Sequence, residues 1–134
     1  MKVILNKCYG GFGVSKEAYE LYAKKKGVTL YWYEYANDES YKRATSYDPF
    51  NKALVKDFGD VVVKPNDDFW DYYLRLNESS RTDSALIEVV EELGSERASG
   101  PYSKLVVVDI PDDLDYVIDD YDGIETLHQR VQTW

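Results

Sequence analysis

The sequence predicts an α+β fold, and three observations carry that prediction. Two segments, Lys16–Lys26 and Ser84–Leu93, repeat apolar residues at helical spacing between recognisable caps. About six short runs are rich in β-branched and aromatic residues. Two of those runs flank Asp122-Gly123, a dipeptide suited to the positive φ of a type I′ hairpin turn. Two helices against about six strands imply one mixed sheet with both helices on one face. The 134 residues suffice for a single domain spanning 1–134.

The elements follow in order. Lys2–Asn6 (KVILN) is a first strand, and Cys8-Tyr9-Gly10-Gly11-Phe12-Gly13 is a glycine-rich connection. The Ser15 hydroxyl can accept from a first-turn amide and cap the first helix. Ala18, Leu21 and Tyr22 share a face of that helix, and Lys24, Lys25 and Lys26 suit its negative end. Gly27 stands where a C-terminal residue takes positive φ. Thr29–Ala36 is an aromatic strand with Tyr31, Tyr33 and Tyr35 on one face and Leu30, Trp32 and Glu34 on the other.

The polar stretch 37–48 reads as a mobile loop, and Phe50–Phe58 fits either a helical turn or an irregular segment. Val61-Val62-Val63 reads as a strand buried on both faces. Phe69–Leu76 reads as an aromatic strand whose start also suits a helix. Asp83 or Thr82 can cap the second helix, with Ala85, Leu86, Val89, Val90 and Leu93 as its apolar stripe and Gly94 as its end. Lys104–Ile110 is apolar enough to be a central strand, and Leu114–Tyr121 and Ile124–Arg130 form the hairpin.

Charge is unevenly placed. Residues 1–56 hold ten Lys/Arg and six Asp/Glu; residues 57–134 hold six and nineteen. The net charge is −9. This suggests either a solvated acidic surface or an acidic face that meets a basic partner. Direct nucleic-acid binding is disfavoured, because the acidic surface repels phosphates. One Cys and one His exclude an internal disulfide framework and a His/Cys zinc site within one chain. No apolar run approaches the ~20 residues of a membrane span, and no leader is recognisable.

Several constellations could carry chemistry. Gly10, Gly11 and Gly13 lie between a strand and a helix, where backbone amides favour an anion or nucleotide, with Asn6, Lys7 and Ser15 beside them. The third glycine of a dinucleotide fingerprint and the Walker A pattern are missing, so a tight turn that packs Phe12 is the competing reading. Cys8 and His128 would make a nucleophile and base only if the fold joined them. Arg81 offers a planar fork for a ligand carboxylate or phosphate, or for Glu125, while Asp83 caps the helix. Asp112, Asp113, Asp115, Asp119, Asp120 and Asp122 fail the calcium-loop spacing and suit an acidic edge that blocks strand pairing. Tyr31, Tyr33 and Tyr35 suit an interface, most simply a homodimer. No catalytic set, metal site or cofactor is expected.

Three of these motifs also carry a resemblance. Asn6–Ser15 (NKCYGGFGVS), Arg81-Thr82-Asp83 with the following LIEVVEELG helix, and Tyr121–Glu125 with His128 and Thr133-Trp134 resemble a family of small uncharacterised proteins encoded by bacteriophages and prophages. The resemblance covers most of the chain outside roughly 37–60. The chain departs from the family's longer aromatic and basic ending, where Thr126-Leu127 and Gln129–Gln132 stand. The resemblance implies phage origin and the bacterial host cytoplasm, and no mechanism. The leading expectation is an accessory protein that binds a host protein or itself. A small-ligand or nucleotide binder and a Cys/His-dependent enzyme are the alternatives.

Overall fold

The structure is a computed structural model that describes residues 1–36, 39–59, 62–76 and 80–130. Among them the chain runs β1 (Lys2–Asn6), α1 (Lys16–Lys26), β2 (Tyr31–Ala36), β3 (Ser40–Arg43), β4 (Lys52–Leu54), α2 (Asp67–Asp71), α3 (Ser84–Ala98), β5 (Leu105–Asp109), β6 (Tyr116–Tyr121) and β7 (Ile124–Gln129). The class is α+β, as the patterns predict. The single mixed sheet is not formed. The strands make three antiparallel sheets, β1–β5, β3–β2–β4 and β6–β7. The chain divides into two compact units, Met1–Ala18 with Leu76–Trp134, and Tyr19–Arg75.

The first unit has an aliphatic core. Val3, Ile4 and Leu5 of β1, Leu105 of β5, and Leu86, Val89 and Val90 of α3 are all buried. β5 is apolar because α3 packs on it, although among the described residues it pairs only with β1. Asp83 caps α3, accepting from the Ala85 amide at 2.9 Å. Gly94 leaves helical geometry (φ 80°, ψ 162°), so the predicted stop is real, but a further turn continues the element to Ala98. The Asp122-Gly123 turn has φ of 51° and 90°, the type I′ geometry that matches strand twist.

α1 starts in this unit. The Ser15 hydroxyl accepts from the Ala18 amide at 3.0 Å and donates to the Arg97 carbonyl at 2.6 Å. At its other end the Val28 amide reaches the Ala23 carbonyl (3.0 Å) and the Gly27 amide reaches Lys24 (3.2 Å), closing the helix with Gly27 at φ 72°.

The second unit is built on rings. Phe69 is fully buried and stacks on Tyr41 (5.3 Å between centroids), with Tyr33, Phe58 and Trp70 also in ring contact. Several expectations are corrected here. Residues 40–43 of the expected loop are a strand: β3 pairs with β2 and buries Ser40. Residues 37 and 38 lie outside the described residues. Val62 is 61% exposed and Val63 makes one bridge to Tyr41, so this run is no doubly buried strand; Val61 lies outside the described residues. Phe69–Leu76 begins in a helix, because the Asn66 side chain caps it by accepting from the Phe69 amide at 3.0 Å. Tyr73 then bridges to Leu54.

Candidate functional site

The first unit brings the three sequence motifs into one polar cluster. Arg81 is 4% exposed and Glu125 is 1% exposed, and the guanidinium fork donates to both carboxylate oxygens. Glu125 Oε1 also accepts from the Asn6 amide at 2.7 Å. The Asn6 side chain is satisfied on both ends. Its Nδ2 donates to the Cys8 and Gly123 carbonyls (2.7 and 2.6 Å), and its Oδ1 accepts from the Lys104 and Cys8 amides (2.9 and 3.3 Å). Lys7 Nζ donates to the Glu125 carbonyl at 2.5 Å, and Arg81 lies over the Phe12 ring at 4.8 Å. The Ile4 amide donates to the Arg81 carbonyl at 2.9 Å.

Local sequence explains why these groups meet. β1 delivers Asn6 and Lys7 to the edge of the hairpin, and the type I′ turn sets Gly123 and Glu125 two residues apart. Gly10 and Gly123 are glycines because the chain touches itself. A Cβ at Gly10 would sit 1.9 Å from the Tyr102 carbonyl oxygen, and one at Gly123 would sit 2.4 Å from that of Tyr9. Gly11 has φ 87° and open space around it. The Gly13 carbonyl accepts from the Ser103 hydroxyl at 2.6 Å. Buried polar groups are costly unless paired, and here the pairing joins four separate segments.

The expected site residues therefore divide. Asn6, Lys7, Cys8, Arg81 and Glu125 gather at this cluster, Gly11 lies against Gly123, and Gly10 and Gly13 contact the 100–103 segment. Ser15 and Asp83 cap helices. His128 is exposed on β7, with Nε2 at 3.1 Å from Asp119 and 3.0 Å from the Thr126 hydroxyl. Its contacts are to its own hairpin, and Cys8 is not among them. Of the expected interface tyrosines, Tyr35 is 63% exposed, but Tyr33 is fully buried. Tyr33 turns inward because its hydroxyl accepts from the Phe58 amide at 2.7 Å and its ring meets Phe69. Among the described residues no three His, Cys, Asp or Glu side chains gather in a way that could hold a metal ion. Sequence reasoning missed Tyr102 and Lys104, whose backbone closes the cluster; nothing in their side chains signals that role.

An open cavity of about 510 Å³ adjoins the cluster, lined by Arg81, Thr82, Tyr116, Ile118, Asp120 and Arg130 among others. The six aspartates between Asp112 and Asp122 are all exposed. Near the start of that stretch the Met1 amino group donates to the Ile110 carbonyl at 2.7 Å and pairs with Asp112, whose carboxyl it holds below the usual range. No helix is long and apolar enough to cross a membrane among the described residues. No family model, curated protein or solved structure matches the chain.

Proposed function

We propose that this is a phage-encoded accessory protein that works in the bacterial cytoplasm by non-catalytic binding, to a host protein or to a second copy of itself. The phage origin rests on the resemblance of the three motifs. One observation carries the binding reading: the candidate chemical groups Asn6, Arg81 and Glu125 direct their hydrogen bonds at one another inside the first unit. Exposed carboxylates and exposed Tyr35, Phe50 and Tyr121 are what the molecule offers outward. The test is affinity capture from bacterial lysate at rising salt, alongside light scattering of the purified protein. A discrete partner or a concentration-dependent dimer is expected. A monomer that captures nothing beyond a charge-matched control protein refutes the reading.

A second reading, binding of a small anionic ligand at the glycine-rich loop, is favoured by the open space at Gly11. A thermal-shift screen with nucleotides and inorganic phosphate tests it. A ligand at 100 times its Kd adds about 2.7 kcal/mol, a rise of several degrees in a domain of this size.

A further inference from the structure

A two-residue turn makes Tyr121 and Ile124 a mutually hydrogen-bonded pair. The register continues to Tyr116↔Gln129, and beyond it the Arg130 amide donates to the Asp115 carbonyl at 2.8 Å. Residues 115, 117, 119 and 121 thus turn their backbone groups toward β7. Tyr116, Ile118 and Asp120 turn theirs away from it. Among the described residues β6 pairs with β7 alone. All three line the 510 Å³ cavity, together with Val117, Arg130, Arg81 and Thr82. Among the described residues this edge is thus unpaired, and the residues that form it line a space large enough to admit another chain.

Charge selects the occupant. Arg81 is paired with Glu125 and Arg130 with Asp115, while Asp119, Asp120 and Asp122 stand exposed toward the turn end. A second copy pairing antiparallel about Ile118 would set Asp119 opposite Val117 and Asp120 opposite Tyr116, so it would bring no positive charge to either carboxylate. The acidic edge therefore favours a strand of opposite charge over a second copy.

We infer that the outer edge of β6 receives an extended basic peptide segment of a partner protein by strand addition. Main-chain bonds would form at Tyr116, Ile118 and Asp120, two adjacent Lys/Arg would lie opposite Asp119 and Asp120, and apolar residues opposite Tyr116 and Ile118. This inference rests on the binding reading above and gives it a surface and a partner chemistry.

The test uses the full chain and a peptide probe, acetyl-Thr-Lys-Lys-Val-Thr-Val-amide, with Glu replacing both Lys in the control. The NMR titration should show the Lys peptide binding at least tenfold more tightly than the Glu peptide. Hydrogen exchange should slow at the amides of Tyr116, Ile118 and Asp120, because those amides gain partners. Ile118→Pro removes one outward N–H and no β6–β7 bond, so it should lose at least tenfold in affinity. If that variant misfolds, Asp119→Asn combined with Asp120→Asn decides, and should abolish the preference for Lys over Glu.

Saturation without amide protection, or unchanged affinity in Ile118→Pro, would overturn strand addition in favour of charge attraction alone. No saturation at millimolar peptide would overturn the edge as a site. Lysate capture that survives Ile118→Pro would leave the binding reading standing on another surface. Capture of nothing by the wild type would sink that reading instead.

Discussion

The first unit draws its chain from two distant stretches, Met1–Ala18 and Leu76–Trp134, whereas the second is the continuous run Tyr19–Arg75. The second holds 14 of the 20 aromatic residues. The first buries Val, Ile and Leu around a paired polar cluster; the second buries Tyr33, Leu54 and Phe69 and surrounds them with further rings. Aliphatic side chains reward burial without direction, so they do little to specify which loops meet. Asn6, Arg81 and Glu125 supply that direction, because each leaves a costly orphan unless the other segments arrive. The continuous unit has shorter loops to close, and ring edges and faces provide geometry of their own.

Breaking the polar cluster should have the largest effect. Glu125→Ala removes the carboxylate that neutralises the buried Arg81, which costs about 3–5 kcal/mol. Urea unfolding should report that loss, and hydrogen exchange should rise in β1 and β7 before β2 and β3. Arg81→Met combined with Glu125→Leu should recover the charge part of it, since an apolar pair leaves no stranded charge, while the Asn6 amide still lacks its acceptor. Failure of the double variant to recover would mean that the pair contributes more than neutralisation.

Phe69→Ala attacks the second unit and should cost about 3–5 kcal/mol by emptying the centre of the ring cluster. Its exchange pattern should reverse, with β2 and β3 opening first. If both variants open both units together, the division into two cores has no energetic meaning. A smaller effect is expected of Tyr33→Phe. It keeps the ring but strands the Phe58 amide, costing about 1–2 kcal/mol with little change in near-ultraviolet dichroism.

The mildest prediction concerns pH. The Gly59 amide, and then Arg43, hold the Asp57 carboxyl below its ordinary value. A carboxylate with a lowered folded pKa stabilises above its unfolded pKa and loses that stabilisation as pH falls through the folded one. Denaturation midpoints measured downward from about pH 4 should therefore fall less steeply in Asp57→Asn than in the wild type. Because Asp57 is exposed, the difference will be small.

Sequence legibility differed between the units for physical reasons. Ser15, Gly27, Asp83 and Asp122-Gly123 act within a few residues of themselves, so their roles as caps and turn were readable from their neighbours. Tyr33 and Tyr35 have the same residue type and strand phase, yet one is buried and the other exposed, because Phe58 and Phe69 return over only one of them. Asn66 caps α2, but the rings that follow it favour a strand as readily as a helix, so the local pattern does not choose between them.

By itself the sequence determined the α+β class, both long helices with their caps, the hairpin and the Arg81–Glu125 pairing as one of two roles for Arg81. Each depends on local spacing or on the strong preference of a guanidinium for a carboxylate. Only the tertiary structure decided that the described strands form three sheets, that Asn6 joins the glycine loop to the hairpin, and that Tyr116, Ile118 and Asp120 of β6 line a cavity. Those outcomes depend on segments up to 119 residues apart. Nothing in a local pattern encodes which of several compatible partners a strand edge or an amide will meet.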